Sequence, residues 1–281
     1  PVQEVTQDEI SSGADRLVIA PTGSGKTMAA MLPLLDRCLK QNWQGMSILY
    51  ITPLRALNRD VDRRLDEITS AIGLRLGLRH GDTTQSERTK QVRNPPNVMI
   101  TTPETFQLMF TGSKLRELLK SVQAVVIDEV HEMADGERGW QLSIGLSRLE
   151  LFIGRRVQKI GLSATVGNPS QVAKWLSNDA EAINAVAPRS TELSVDAIIQ
   201  LPEDEIGSLE LAISPRAHAT LRGLADIISK NNPCLIFVNS RNSAETVSQR
   251  LTAIAPDLLI GVHHGSLAKE TRTQMENDLR E

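Results

Sequence analysis

Arg16 to Thr27 read RLVIAPTGSGKT, a short apolar run that passes through a glycine turn straight into a helical pattern. Ala20, four further residues, then Gly25, Lys26 and Thr27 reproduce the Walker A spacing, with alanine in place of the usual first glycine. That substitution touches only the entry to the loop. Gly23 and Gly25 let the backbone turn its N–H groups inward around phosphate oxygens, and a helix starting near Lys26 adds its positive end to the cradle. Thr22, Gly23, Ser24, Gly25, Lys26 and Thr27 are therefore the expected nucleotide-binding residues. In this reading Lys26 reaches the β and γ phosphates and Thr27 offers its hydroxyl to Mg²⁺.

The passage from apolar run to helical period recurs along the chain: RLVIA then MAAMLPLLDRCL, SILYIT then PLRALNRDVDRRLDEI, NVMITT then PETFQLMF, AVVIDE then QLSIGLSRLELF. Runs apolar on both faces, alternating with helices, predict an α/β fold with a covered parallel sheet and right-handed crossovers. Leu142, Leu146, Leu149 and Ile153 share one helical stripe, as do Ala217, Leu221, Leu224 and Ile228. The texture changes at APRS, Ala187 to Ser190, which places a domain border between 188 and 189. Beyond it, an alternating strand in TELSVDAIIQ leads to the acidic run Glu203 to Glu205, read as a solvated turn. A second rhythm follows, with helices at 215–230 and 242–254, strands CLIFV and LLIGV, and an unfinished helix from Ala268. Residues 189–281 are thus expected to be a second domain whose sheet is incomplete.

At 281 residues, 40% hydrophobic and 23% charged, the composition is that of a globular protein and excludes a fibrous or disordered chain. The net charge of −3 excludes a globally basic surface, so any polyanion must be held in a local groove. No apolar run reaches membrane-spanning length, and PVQEVTQDEI lacks the features of a leader, which gives an intracellular, cytoplasmic expectation. Cys38 and Cys234 read as reduced, buried thiols without a zinc motif. With aromatics at 3%, base stacking is not the expected grip on nucleic acid, and Trp43, Trp140 and Trp175 read as packing residues.

AVVIDEVH, Ala124 to His131, ends an apolar strand in two carboxylates, the Walker B arrangement. At the carboxyl edge of a parallel sheet, Asp128 would hold Mg²⁺ through water while Glu129 orients and deprotonates the water attacking the γ-phosphate. Walker A and Walker B together imply a nucleoside triphosphate hydrolase, with Glu129, Lys26 and Asp128 as catalytic candidates.

DEVH, the run IGLSATVGNP with Ser163 and Thr165, and TPLRALNRD, RHGDT, TTPET, LIFVNSR and VHHGS at ordered intervals resemble superfamily 2, DEAD/DEAH-box-like helicases. Within them PLRALNRD, HGDTTQSER, PPNVMITTPETFQLMF, DEVHEM with Arg138-Gly139, and GLSATVGNPSQVAKWL are similar to the Lhr (large helicase-related) group, over nearly the whole chain. The resemblance implies two RecA-like domains, ATP with Mg²⁺, and a grip on a single strand of DNA or RNA. It implies movement from three prime to five prime that opens DNA or DNA–RNA hybrids. Gln3 matches the glutamine that reads adenine, and His131, Ser163 and Thr165 match residues that couple hydrolysis to nucleic-acid binding. Pro53, Leu54, Arg55, Gly81, Thr102, Pro103 and Glu104 match strand contacts of the first domain; Arg241, His264 and Gly265 match those of the second. Of the adjacent His263 and His264, one is expected to face the cleft.

The chain departs from the pattern in three places. No aromatic residue precedes Gln3, Glu137 replaces a basic residue, and the sequence stops before motifs V and VI, which supply an arginine finger worth roughly 10³ to 10⁵ in rate. The expectation is an ATP-dependent helicase or translocase core. The alternatives are an ATP-gated nucleic-acid binding module with little catalysis, or a P-loop ATPase acting on proteins.

Overall fold

The computed structural model describes residues 2–53, 58–134, 136–164, 166–185, 193–195, 197–231 and 233–279, without the side chains at 58–62, 269, 273 and 276. Leu54, Arg55, Thr165 and the border expected at 188/189 lie outside the described residues. Contacts divide the chain into two compact units, Pro1–Arg189 and Ser190–Glu281.

In the first unit the order is α1 (Val2–Ser11), β1 (Arg16–Ile19), α2 (Lys26–Lys40), β2 (Ile48–Ile51), α3 (Asn58–Ala71), β3 (Leu76–Arg79) and α4 (Gln85–Arg93). Then come β4 (Val98–Thr101), α5 (Pro103–Met109), α6 (Ser113–Leu119), β5 (Ala124–Ile127), a 3₁₀ turn (Val130–Glu132), α7 (Glu137–Ile153), β6 (Gln158–Ser163), α8 (Pro169–Leu176) and β7 (Glu181–Asn184). The seven strands form one sheet in the order β3-β4-β2-β5-β6-β1-β7, parallel throughout.

Successive strand residues point to opposite faces, so each strand feeds two cores. Leu17, Leu49, Met99 and Val125 join Phe106, Leu142, Leu146 and Leu149 on one side, and Ile153 packs against that cluster as its helical stripe requires. Val18, Ile48, Tyr50, Val98 and Val126 join Ile10, Met31, Leu34 and Leu65 on the other. The complete burial of β2, β4 and β5 explains their uninterrupted apolar sequence.

Pro33 lies inside α2 and has no N–H to donate to Ala29 one turn earlier. The Thr6 hydroxyl of α1 donates to that carbonyl instead, at 3.3 Å. A residue that would weaken an isolated helix thus contributes to the docking of α1 on α2.

The second unit holds α9 (Pro202–Glu210), α10 (Pro215–Lys230), α11 (Arg241–Ile254) and α12 (Lys269–Asp278). Helices α10, α11 and α12 follow the sequence expectation closely; α9 and the expected strands do not. Residues 234–238 and 258–263, and the described residues of 193–200, carry no ladder, and Phe237 and Leu259 are 90% and 96% exposed. An extended run becomes a strand only when a neighbour takes up its N–H and C=O groups, and among the described residues none does.

Two further expectations are corrected. The acidic run is the first turn of α9, and Asp204 is fully buried, accepting from Arg222 Nε at 3.0 Å with His218 Nδ1 2.8 Å away. Trp140 is 67% exposed rather than packed, whereas Trp175 packs against the core and Trp43 lies under the Arg37 guanidinium. Among the described residues no helix is long and apolar enough to cross a membrane.

Candidate nucleotide site

The register places the loops after β1, β5 and β6 side by side at the carboxyl edge, since β6 pairs with both β1 and β5. The first is the glycine loop. Gly23 and Gly25 take φ of 75° and 87°, a left-handed backbone that glycine adopts without strain. The Ala20 N–H is fixed to the Ser163 carbonyl at 3.1 Å, so alanine at the loop entry keeps the ladder intact. Helix α2 starts at Lys26 with no side-chain cap, leaving its N-terminal amides to an incoming anion.

The Lys26 side chain is buried, and its ammonium donates to the Ala20 carbonyl at 2.9 Å and the Pro21 carbonyl at 3.3 Å. Burial lowers its pKa, opposed by the charges of Glu129 and Asp128. Lys26 and the acidic pair thus lie within electrostatic reach of one another. The Ser24 hydroxyl is buried in the same loop with no hydrogen-bond partner among the described residues.

Strand β5 ends at Ile127, and Asp128 extends its ladder by donating to the Ile51 carbonyl at 2.8 Å. The chain then turns sharply. Glu129 adopts φ 48° and ψ 48°, a conformation costing a non-glycine residue about 1–2 kcal/mol. Strain of this kind concentrates at functional sites. Asp128 Oδ1 accepts from the Glu129 N–H at 3.0 Å, and Glu129 Oε2 is buried, 3.5 Å from His131 Nδ1, with no hydrogen-bond partner among the described residues. Burial raises both carboxyl pKa values; the Asp128 charge adds to the rise at Glu129, while Lys26 and His131 oppose it. His131 Nδ1 also lies 3.0 Å from the Ser163 hydroxyl.

Sequence reasoning missed Tyr50. The only tyrosine of the chain, it is fully buried in β2 and donates to Asp128 Oδ2 at 2.5 Å, with Thr27 Oγ1 3.4 Å from the same phenol. Burial, then the Asp128 charge, pushes its pKa well above the usual 10.0 and keeps it a donor. The available signal was one polar-tipped side chain near the end of an otherwise apolar strand.

Gln3 on α1 donates to the Gly25 carbonyl at 3.4 Å, and a Cβ at Gly25 would overlap its amide. It lines, with Gln7, Met28, Ala29, Leu32 and Pro33, a cavity of about 320 Å³ between α1 and α2. These groups fit a magnesium nucleotide: exposed amides and Lys26 for phosphates, and Thr27 and Asp128 as oxygen donors for a hard divalent cation. Gln3, beside the loop, completes the set.

The expected strand contacts follow the other half of the same edge, after β2, β3 and β4. Pro53 is buried, and its carbonyl accepts from Arg138 at 3.4 Å. The Gly81 carbonyl accepts from Arg88 at 3.0 Å, and the same guanidinium holds the carbonyls of His80 and Thr83. Thr102 caps α5 through its hydroxyl and is buried, as is Pro103 at the first helical position, so only Glu104 presents an exposed side chain. Arg138 Nε donates to Glu104 at 2.8 Å. In the second unit Arg241, at the start of α11, donates to Ser266 at 2.5 Å, and the Ser266 N–H reaches His264 Nδ1 at 3.3 Å. His264 Nε2 lies 2.8 Å from Glu245, and Gly265 lies against Arg241. His264 is half-buried and His263 exposed, and neither lies on a strand.

A profile of the DEAD/DEAH box helicase family matches residues 1–172. "Lhr helicase/probable uracil glycosylase" of Mycolicibacterium smegmatis is 36% identical over 100% of this chain and 21% of its own length. "ATP-dependent helicase Lhr-Core" of Methanothermobacter thermautotrophicus is 35% identical over 97% of this chain and 34% of its own. The chain thus spans about a fifth to a third of these relatives. The solved structure of Mycobacterium smegmatis helicase Lhr bound to ssDNA and AMP-PNP superposes with a TM-score of 0.75 at 36% identity, over 99% of this chain and 38% of that one. The DEAD-box helicase Mss116 bound to ssRNA, at 19% identity and a TM-score of 0.71, shares the RecA-like fold. With its Walker residues gathered at one sheet edge, this chain belongs to the DEAD/DEAH box helicase family, and relatives of the Lhr type match it over nearly all of its own length.

Proposed function

We propose that the chain is the motor core of an ATP-dependent helicase that tracks along a single DNA strand and opens DNA duplexes and DNA–RNA hybrids. Residues 1–188 would form the ATP-binding domain and 189–281 part of the helicase C-terminal domain. The observation that carries the reading is the convergence of Lys26, Thr27, Asp128 and Glu129 at one rim. The DNA-bound relative supports DNA as the strand.

Lys26 and the amides of residues 22–27 hold the phosphates, and Gln3 reads the adenine edge. Thr27 and Asp128 would hold magnesium, which would supply charge neutralisation at the phosphoryl group. Glu129 orients the attacking water and takes its proton; an elevated carboxyl pKa suits a base working near neutrality. His131 and Ser163 connect that base to β6, and the loops bearing Pro53, Gly81 and Thr102–Glu104 hold the strand through backbone groups that read no sequence. Arg241, His264 and Gly265 contribute from the second unit.

The test is ATP turnover with and without single strands, paired with displacement of DNA, RNA and hybrid duplexes carrying either overhang. Lys26→Ala should abolish nucleotide binding, and Glu129→Gln should bind ATP yet hydrolyse it at least a hundredfold more slowly. Binding gated by ATP without turnover would replace the motor by a binding module, and unchanged turnover with every strand would point to a protein-directed ATPase.

A further inference from the structure

We propose that Tyr50 is a positioning residue that sets the two cation-binding side chains, Thr27 and Asp128, before any nucleotide arrives; this rests on the nucleotide site proposed above. A fully buried phenol among Val18, Ile48, Val126 and Ile160 must satisfy its hydroxyl locally, and it does so between the glycine loop and the acidic strand end. Its proton goes to Asp128 Oδ2 at 2.5 Å. The 3.4 Å contact with Thr27 can then be made only with the threonine as donor.

That direction matters for metal binding. A hydroxyl that ligates a cation must offer a lone pair, so its proton has to point elsewhere, and Tyr50 oxygen is the acceptor that draws it away. Asp128 is fixed in the same manner: Oδ2 accepts from Tyr50 and Oδ1 from the Glu129 N–H, and each oxygen keeps further lone pairs free. The carboxylate cannot rotate without giving up both bonds. One phenol thereby ties the first turn of α2 to the residue that follows β5, a role that neither Walker motif contains.

Tyr50→Phe removes only the hydroxyl. The expected result is nucleotide affinity in EDTA within twofold of wild type, read with a fluorescent ATP analogue, but a Mg²⁺ concentration for half-maximal tightening raised about tenfold, the worth of one hydrogen bond to a charged group. An unchanged Mg²⁺ midpoint overturns the proposal, even where the melting temperature falls. Because the 281-residue chain has a single tyrosine, a second measurement needs no variant. Ring-labelled tyrosine in the wild type should shift on Mg²⁺ titration with ADP present, and a silent ring resonance also overturns the proposal. Lys26→Ala serves as the separate control: retained nucleotide affinity there refutes the nucleotide site itself, whereas lost affinity with a normal Tyr50→Phe response refutes only the role of Tyr50.

Discussion

Ser163 joins the glycine loop to the acidic turn: its hydroxyl lies 3.0 Å from His131 Nδ1, and its carbonyl accepts the Ala20 N–H at 3.1 Å. The backbone bond survives any side-chain change, so Ser163→Ala should fold and bind ATP within about twofold of wild type. What it loses is the tether on His131, whose ring stands 3.5 Å from the Glu129 carboxylate. A lost hydrogen bond of about 1 kcal/mol predicts a fall in kcat of roughly five- to tenfold with little change in KM. Steady-state ATPase kinetics check this, and a raised KM at constant kcat would relocate Ser163 to substrate binding.

Glu129 should weaken the nucleotide-free fold at neutral pH. Burial and the neighbouring Asp128 raise its folded pKa, so the native chain binds the proton more tightly than the unfolded one. Stability that is present below the ordinary carboxylate range is therefore lost as pH rises through the elevated folded value. The amide introduced by Glu129→Gln does not titrate. Thermal unfolding of that variant without metal should match wild type near pH 4 and exceed it by pH 7. A difference that shrinks toward neutrality would mean that Lys26 and His131 stabilise the carboxylate more than burial opposes it.

These relationships were unevenly legible in the sequence. The strands read as parallel and buried because ILYI, VMIT and AVVI are apolar but for Tyr50 and the terminal Thr101, and the longer helices of both units were visible in their period, whereas α9 was read as a turn. LGLR, QKIGLS and EAIN escaped, since short strands with Arg, Gln, Lys or Glu at their ends carry no apolar run. In the second unit CLIFV and LLIGV have strand composition, yet composition cannot provide the neighbour that a ladder needs. At the site, motif spacing located Lys26 and Asp128. It could not locate Tyr50, because a contact across 78 positions between β2 and β5 is a product of strand order. Trp140 reads like core by residue type, but its position on α7 turns it outward, 67% exposed.

Gly139 is where α7 meets the turn that follows the acidic pair, and a Cβ there would overlap the backbone carbonyl of Met133. A carbonyl in a hydrogen-bonded turn cannot swing aside as a side chain does; this one accepts the Gly136 N–H at 3.1 Å. Gly139→Ala should cost about 1–3 kcal/mol. Gly167→Ala, with nothing among the described residues within 4 Å of the added methyl, should fall within about 0.5 kcal/mol of wild type. Denaturant unfolding of the pair decides the matter, and equal stabilities would show that α7 shifts freely from the turn.

Arg138, the neighbour of Gly139, bonds the Glu104 carboxylate at 2.8 Å and the Pro53 carbonyl at 3.4 Å, so one guanidinium ties the start of α7 to two of the proposed strand-contact loops. The ion pair is about half-exposed, with side-chain accessibilities of 46% and 55%. Its loss in Arg138→Ala should therefore change global stability by less than about 1 kcal/mol. Single-strand affinity should fall severalfold, since the two loops lose their common anchor. Salt dependence separates positioning from contact. A residue that itself neutralises a phosphate contributes about 0.7 to the slope of log K against log salt on a single strand, and its removal lowers the slope by that amount. Arg138 is held by Glu104 and Pro53 through Nε and Nη2, so with positioning as its role the variant should bind more weakly at every salt concentration with an unchanged slope. A slope reduced by about 0.7 would show instead that Arg138 leaves Glu104 to grip the strand directly.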